Sequence, residues 1–163
     1  PVDAATYVTC DFSQDDFLDR LVAEGFSIDT PALFIWEGVI PYLDEASIRS
    51  TLRRIATGCH PQSILVFDYI MKKMAQGIQL GQEDAAVRSL VDNLGEPLRF
   101  GLNDPTPLMF DEGFHQVRTV SFDEIALSKT GHYNRALRFR FQGMVIGSRA
   151  TPLCVAARWE NNS

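Results

Sequence analysis

The sequence has 163 residues, of which 45% are hydrophobic, and this is enough to build the core of one ordinary domain. Its 15 Lys and Arg against 21 Asp and Glu give a formal net charge of −6, which repels phosphate backbones and excludes nucleic acid as an expected partner. No apolar stretch has membrane-spanning length, and no basic segment precedes an apolar one near the start, so we expect neither a membrane partner nor a secretory signal.

The cysteines indicate in which cellular compartment the protein is expected. Cys10, Cys59 and Cys154 are an odd number, widely spaced and set among apolar residues. Such cysteines are more typical of reduced thiols in a core than of a disulfide framework. We therefore expect a cytoplasmic protein.

The first unit of the chain is predicted to be a strand followed by a helix. The segment "AATYVTC" (Ala4–Cys10) is rich in β-branched and aromatic residues and ends at Asp11, which is typical of a strand. Ser13 and Asp16 have the spacing of a capping box, and Gly25 has the place of a residue that ends a helix.

The next two units repeat this order. The apolar segment "ALFIW" (Ala32–Trp36) is predicted to be a strand, and the helix after it begins at Asp44 and ends at Gly58. A third strand, "SILVF" (Ser63–Phe67), ends at Asp68. Strands that are apolar on both faces and alternate with helices favour a parallel sheet covered on both sides.

The second half of the chain is less regular, and Pro97, Pro105 and Pro107 exclude a long element around them. The predicted elements are a loop at Gln76–Gly81, a helix at Asp84–Leu94, and strands at His115–Phe122, within Tyr133–Gly147 and at Thr151–Trp159. Since no repeat or linker divides the chain, we expect residues 1–163 to form a single α/β domain.

Three carboxylates share one feature, because each directly follows a predicted strand. These are Asp11, Glu37 and Asp68. In an open α/β sheet the ligand crevice lies just outside the carboxyl ends of the strands. Gly38 would let a ligand approach Glu37 closely. The pattern predicts a cleft for a ligand with an amine or sugar hydroxyls, since a carboxylate removed from water needs such a partner.

A simpler interpretation stays open for each of these acids, because Asp and Glu after a strand often only cap the next helix or lie in a solvated loop. The aromatic residues nearby have two interpretations as well. Phe12, Trp36 and Tyr42 could form a stacking platform for a flat ring, but aromatic residues in such places more often belong to the core.

Other motifs of catalysis or binding are missing from the sequence. The three histidines lack the spacing of metal ligands, so no metal site is expected. There is no G-x-S-x-G, no P-loop and no Cys-x-x-Cys. Arg49, Arg53 and Arg54 are expected to form the solvated face of their helix.

Four segments resemble a known family: "YVTCDF", "ALFIWEGVIPYLDEASIRSTLRRIA", "SILVFDYI" and "GEPLRFGL". They are similar to the bacterial branch of the leucine carboxyl methyltransferase family, class I enzymes that use S-adenosylmethionine, and the resemblance runs from about Tyr7 to Arg158. It implies an α/β fold with a Rossmann-like, mostly parallel sheet. The site residues that it implies are Asp11 and Phe12 for the adenine, Glu37 for the methionine moiety, and Tyr42 beside the pocket for methyl transfer. Gly38 is added to the cofactor site because it allows a ligand to approach Glu37.

The sequence departs from the family in one respect. Members begin with a glycine-rich turn between a strand and a helix, and no G-x-G occurs here. The family sheet has the strand order 3-2-1-4-5-7-6, and the strand matching Ala4–Cys10 is the third. We therefore expect an incomplete sheet without its first two strands, in a chain that corresponds to the later portion of the enzyme.

The function implied is O-methylation of a carboxyl or hydroxyl group on a small molecule or peptide, with no catalytic base assigned. One alternative is an inactive remnant that serves as a dimerisation or binding module, completed by a second copy or by the missing half. Another is magnesium-dependent phosphoryl transfer, with Asp11, Glu37 and Asp68 as ligands and Lys72 or Lys73 nearby.

Overall fold

The structure is a computed structural model that describes residues 5–78, 80–132 and 141–150. These residues form one four-stranded sheet in the order β1-β2-β4-β3. The strands are β1 (Leu33–Trp36), β2 (Ile64–Ile70), β3 (Gln116–Ser121) and β4 (Gln142–Ser148). β1 and β2 are parallel, and β4 is antiparallel to both of its neighbours, β2 and β3. Three strands thus point in one direction, and the reversed β4 makes the sheet mixed.

Six α-helices and a single turn of 3₁₀ helix at Ile40–Tyr42 accompany the sheet within the described residues. The helices are α1 (Phe17–Ala23), α2 (Glu45–Gly58), α3 (Lys72–Gln76), α4 (Gln82–Asn93), α5 (Thr106–Asp111) and α6 (Phe122–Thr130). α2 begins as predicted, because the Asp44 side chain accepts a hydrogen bond from the Ser47 amide at 2.8 Å. α1 does not, because its cap is Asp16, which accepts from the amides of Leu18 and Asp19.

The strand predicted at Ala4–Cys10 is wrong over its described part, since residues 5–10 have no regular structure. A strand is stable only when its amides and carbonyls pair with a neighbour, and no described strand lies beside this segment. The strands at Ala32–Trp36, Ser63–Phe67 and His115–Phe122 and the helix at Asp84–Leu94 are confirmed with shifted ends. The strand at Thr151–Trp159 lies outside the described residues.

One face of the sheet, which we call the closed face, carries Phe34, Trp36, Leu65, Phe67 and Val145. These residues form one buried cluster with residues of α1, α2 and α5. From the helices come Leu18, Ile48, Leu52, Leu108 and Met109. Each large side chain buried in this way stabilises the fold by about 1.5–3 kcal/mol. The closed face is therefore the main core of the described structure.

The opposite face, which we call the open face, carries Leu33, Ile35, Ile64 and Ile146. All four side chains are exposed, and Leu33 and Ile35 retain 62% and 67% of their accessible surface. Among the described residues, those of α3 and α4 cover only the carboxyl end of this face, where they pack with Ile70. The prediction that β1 is buried on both sides is therefore wrong within the described residues. β1 is an edge strand whose outer side has no described neighbour.

The three arginines of α2 do not form a merely solvated face, as the sequence had suggested. Arg49 and Arg53 each lie 2.8 Å from a carboxylate oxygen of Glu112, whose side chain is only 1% exposed. Arg54 lies 2.6 Å from both Asp16 and Asp19. These ion pairs join α2 to the end of α5 and to α1, because their partners lie on those elements.

Candidate functional site

A cleft lies at the edge of the sheet where β1 and β2 end. Parallel strands bring their carboxyl ends to one edge, which is where α/β sheets bind ligands. The cleft has a volume of about 570 Å³, within the range of small-molecule sites. Its charged and polar walls come from Asp11, Gly38, Tyr42, Asp44, Glu96 and Arg99. We call it the acidic cleft, because three carboxylates and one guanidinium line it.

The turn after β1 is held in place by Asp68. Gly38 has a φ of 71°, a conformation that costs other residues energy, and its amide donates a hydrogen bond of 2.6 Å to Asp68 Oδ1. Asp68 is 8% exposed and lies inside β2, two residues before its end, so the prediction that it ends the strand is wrong. Its carboxylate supports the turn. Glu37 directly follows β1, as predicted, and its side chain is exposed beside the cleft rather than lining it.

Tyr42 is the aromatic residue of the cleft wall. It ends the 3₁₀ helix and is half-buried. Burial raises the pKa of its phenol, and the carboxylates of Glu96 and Asp68 raise it further. The phenol therefore stays protonated at neutral pH, where it can donate or accept a hydrogen bond but does not act as a base.

A segment that we call the strap, residues 99–102, fixes the far wall of the cleft. The amides of Arg99 and Phe100 donate to the Pro41 carbonyl at 2.7 and 3.2 Å, and the Leu102 amide donates to the Ile70 carbonyl at 2.8 Å. The strap thus connects the segment after β1 to the end of β2. It belongs to the "GEPLRFGL" motif, so the motif has a structural role at this edge of the sheet.

Asp11 lies at the rim of the acidic cleft. Its Oδ1 accepts from the Ser13 amide at 2.9 Å and the Ser13 hydroxyl at 2.6 Å, and its Oδ2 accepts from the Gln14 side chain at 2.9 Å. The Ser13 hydrogen bonds lower the pKa of this carboxyl, which is therefore ionised at neutral pH. Each carboxylate oxygen has two lone pairs, so Asp11 retains acceptor capacity for a ligand.

The aromatic residues are divided between the core and the cleft. Trp36 is buried, and Phe12 packs against it with ring centroids 5.5 Å apart and against Phe17 at 6.0 Å. The core interpretation therefore holds for Trp36. Phe12 is partly buried in that cluster and lines a neighbouring depression instead of the acidic cleft. Tyr42 alone of the three lines the cleft.

The structure brings Asp11, Gly38 and Tyr42 to one cleft, and it adds residues that the sequence analysis had not assigned to a site. Glu96 and Arg99 lie within "GEPLRFGL", where the motif was noted without a role for either side chain. Asp44 was assigned only as a helix cap, and it both caps α2 and lines the cleft. Asp44 is distant in the sequence from Glu96 and Arg99, and the folded structure is needed to see that all three line the same cleft.

The described residues include no group of three or more His, Cys, Asp or Glu side chains placed to hold a metal ion. Asp68, one of the three acids in the phosphoryl-transfer hypothesis, is already bonded to the Gly38 amide. Within the same residues, no helix is long and apolar enough to cross a membrane.

The first part of the chain matches a known family. Residues 1–56 match the family model described as leucine carboxyl methyltransferase. The resemblance to this family is confirmed. The match includes Asp11, Phe12, Glu37, Gly38 and Tyr42 and ends before "SILVFDYI" and "GEPLRFGL", so it covers less of the chain than the resemblance implied.

Solved structures show the same fold. A DUF574 family protein from Streptomyces avermitilis superposes with a TM-score of 0.63 at 14% identity, over 88% of this chain and 55% of that one. A putative methyltransferase from Thermobifida fusca superposes with a TM-score of 0.58 at 13% identity, over 87% of this chain and 53% of that one. This chain therefore spans about half the length of each of these two structures. No curated protein sequence matches it.

The strand order identifies which part of the fold is present. The order β1-β2-β4-β3 corresponds to the last four positions, 4-5-7-6, of the order that the family resemblance implies. The antiparallel β4 takes the place of the seventh strand, between the fifth and the sixth. The prediction of an incomplete class I methyltransferase sheet is confirmed, but the strand predicted at Ala4–Cys10, the third in that order, is not formed by the described residues 5–10.

Proposed function

We propose that this chain forms the later portion of an O-methyltransferase that uses S-adenosylmethionine. The observation that carries the proposal is the acidic cleft, which lies where the fold binds ligands and is formed in part by residues of the family match. S-adenosylmethionine carries a positive sulfonium and an ammonium, together with an adenine amine and ribose hydroxyls. Carboxylates suit all of these groups.

The residues divide the work of binding. Asp11 would accept a hydrogen bond from the adenine amine, with Phe12 following it in the chain. Glu37 and Gly38 would hold the methionine moiety, because the turn that carries them is fixed by Asp68. Tyr42, a protonated phenol, would orient groups near the methyl group. The cofactor supplies an activated methyl group, so the protein contributes mainly by positioning.

The acceptor determines whether a base is needed. A carboxylate acceptor is already ionised at neutral pH, whereas a hydroxyl must lose a proton during transfer. Tyr42 is protonated at that pH and the buried Asp68 is bonded to Gly38, so neither is assigned as a base. Transfer to a carboxylate therefore suits this site better. We place the protein in the cytoplasm, where free thiols such as Cys10 and Cys59 stay reduced.

Titration calorimetry with S-adenosylmethionine tests the proposal on the 163-residue chain. We expect weak binding, with a Kd above about 100 µM, because this chain spans only about half the length of the two structures that share its fold. Asp11→Asn should weaken it roughly tenfold, about 1.4 kcal/mol, while the control Asp29→Asn, at an exposed position outside the cleft, should not change it. Unchanged affinity in Asp11→Asn would remove Asp11 from the site, and no binding at millimolar cofactor would refute binding by this chain.

A second candidate function is supported by the open face. The edge of β1, beside which no described strand lies, and its exposed Leu33 and Ile35 are suited to pairing with another chain, as in a dimerisation module without catalysis. Sedimentation velocity distinguishes the two candidates. A dimer that Ile35→Lys dissociates, that Val22→Lys on α1 leaves intact, and that does not bind the cofactor would favour the module. A monomer that binds the cofactor would favour the enzyme.

A further inference from the structure

Asp68 carries a charge that is buried at the ligand-binding edge of the sheet. Its side chain is 8% exposed, and its place in β2, between Val66 and Ile70, puts it on the open-face side of the strand. Its register partner on β4 is Met144. The carboxylate is therefore set among apolar side chains, where little water reaches it.

The described residues give this carboxylate one hydrogen-bond donor, the Gly38 amide, which lies 2.6 Å from Oδ1. No Lys, Arg or His side chain within residues 5–78, 80–132 and 141–150 forms an ion pair with it. A carboxylate removed from water usually has a cation beside it, because a single neutral hydrogen bond does not offset the cost of burying the charge. Within the described residues the charge of Asp68 is therefore not neutralised.

The acidic cleft lies within reach of this charge. Gly38 and Tyr42 line the cleft, whereas Asp68 does not. Burial raises the pKa of the Tyr42 phenol, and the charges of Glu96 and Asp68 raise it further. Asp68 therefore acts on the cleft from behind its wall, through the field of its charge and through the position of Gly38.

The acids that line the cleft differ from Asp68 in their exposure. Asp11, Asp44 and Glu96 are all exposed. Water and dissolved ions screen the charges of exposed groups, whereas a buried charge is screened much less. Asp68 should therefore supply a large share of the attraction that a cation experiences in the cleft, although it does not line it.

The proposed methyl transfer changes the charge of the molecule that occupies this cleft. The acceptor oxygen forms a bond to the methyl carbon, and the carbon–sulfur bond breaks with its electron pair left on sulfur. The sulfonium of S-adenosylmethionine thereby becomes the neutral thioether of S-adenosylhomocysteine. Because the two molecules share the adenine, the ribose and the amino-acid end, only the methyl group and the charge distinguish them.

We propose that Asp68 determines the charge specificity of the acidic cleft, so that the cleft holds the sulfonium cofactor and releases the thioether product. This inference rests on the proposed function, because it assigns a specificity-determining residue to the same site. A site distinguishes two ligands by the difference between their binding free energies. A charge that acts on the sulfonium contributes to this difference, whereas contacts with the adenine or the ribose do not.

NMR titrations of the protein with both ligands test this specificity in the wild type and in Asp68→Asn. The substitution removes the charge but keeps an oxygen that can accept from the Gly38 amide. It should weaken binding of S-adenosylmethionine roughly tenfold, about 1.4 kcal/mol, and change binding of S-adenosylhomocysteine by less than about twofold. Glu96→Gln, at an exposed position of the same cleft, should weaken binding of S-adenosylmethionine by only about twofold. The control Asp29→Asn, outside the cleft, should change neither.

The wild type alone provides a second measurement, which decides the matter if thermal unfolding shows that Asp68→Asn is not folded. The ratio of the two dissociation constants should change by less than about twofold between low salt and about 0.5 M sodium chloride, because salt screens a buried charge little. A ratio that moves several-fold against S-adenosylmethionine in salt would overturn the inference, because the attraction would then come from the exposed acids.

Equal weakening of both ligands by Asp68→Asn would also overturn the inference, because a residue that only supports the fold affects the two alike. The proposed function fails separately, if the wild type binds neither ligand at millimolar concentration. NMR of isotope-labelled tyrosine then still tests the charge without a ligand. Asp68→Asn should lower the pKa of Tyr42, and an unchanged pKa would show that the charge of Asp68 does not reach the cleft.

Discussion

The closed and open faces of the sheet are built from equally apolar side chains, yet they are covered very differently. Trp36 and Phe67 on the closed face are 7% and 1% exposed, whereas Leu33 and Ile35 on the open face are 62% and 67% exposed. Trp36 and Ile35 are neighbours in the same four-residue strand, so the strand's composition cannot explain the difference. A strand that is apolar on both sides is typical of a sheet covered on both sides. β1 therefore has the sequence of an interior strand, and among the described strands it has the position of an edge strand.

This difference separates stability from assembly. The closed face, with α1, α2 and α5, supplies most of the buried surface of the described structure. The open face contributes little to it beyond the end covered by α3 and α4. Substitutions on the two faces should therefore affect different properties of the protein.

The largest expected effect compares one residue type on the two faces. Leu65→Ala, at a fully buried position, should lower the free energy of unfolding by about 2–5 kcal/mol, because it leaves a cavity in the core. Leu33→Ala should lower it by less than about 1 kcal/mol, because that side chain is already in water. Urea denaturation measures both. Equal losses would contradict the comparison and would mean that the open face is covered in solution.

An intermediate loss of stability is expected when the ion pairs between α2 and the end of α5 are removed. Glu112→Gln should cost about 1–3 kcal/mol, because it removes a buried charge that faces Arg49 and Arg53, although both arginines remain partly in water. Glu45→Gln is the matched control. Glu45 also pairs with Arg49 but is 57% exposed, so we expect a change below about 0.5 kcal/mol. Thermal unfolding of the two variants would contradict this interpretation if they lost the same stability.

The smallest expected effect concerns acid. Partial burial acts to raise the pKa of Asp16, but hydrogen bonds from Arg54 and from the backbone outweigh it, so the pKa is lower in the folded protein than in the unfolded one. The stability that results is present above the unfolded pKa of about 3.9 and is lost as the pH falls below it. Asp16→Asn keeps a helix cap but removes the charge, so its stability should fall less between pH 6 and pH 3.

Between pH 6 and pH 3 the wild type should lose less than about 1 kcal/mol more unfolding free energy than Asp16→Asn does, because the Asp16 side chain is 38% exposed. Denaturation at a series of pH values measures it. Asp29→Asn, at an exposed position, should follow the wild type, and a parallel course for Asp16→Asn would show that the Arg54 pair does not stabilise the contact of α1 with α2.

Much of the sheet could be predicted from local patterns, because β1, β2 and β3 are short apolar or β-branched runs between turn residues. The cap of α2 at Asp44 was predictable for the same reason. Residues 5–10 were not, since their β-propensity is satisfied only by a neighbouring strand, and none is described beside them. The short helices α3, α5 and α6 were missed because few turns give little periodicity.

The site was predictable only in part. Asp11, Gly38 and Tyr42 line the cleft, but Asp11 was assigned as the end of a strand at Ala4–Cys10 that the described residues 5–10 do not form, so it reaches the cleft from an irregular segment. The pairing of Asp68 with Gly38 joins residues 30 apart in the sequence, and that of Arg49 with Glu112 joins residues 63 apart. Neither pairing has a local signature in the sequence. Asp68 was therefore expected to contact a ligand but binds the Gly38 amide, and Arg49 was expected in solvent but contacts the buried Glu112.

The hydrogen bond from the Gly38 amide to Asp68 also makes hydrogen exchange at Gly38 a measure of local opening at this edge of the sheet. The amide proton can reach deuterated solvent only when the turn after β1 separates from β2. Its exchange rate therefore reports how often the edge strand opens, and anything that covers the outer side of β1 should slow that exchange at this one backbone position.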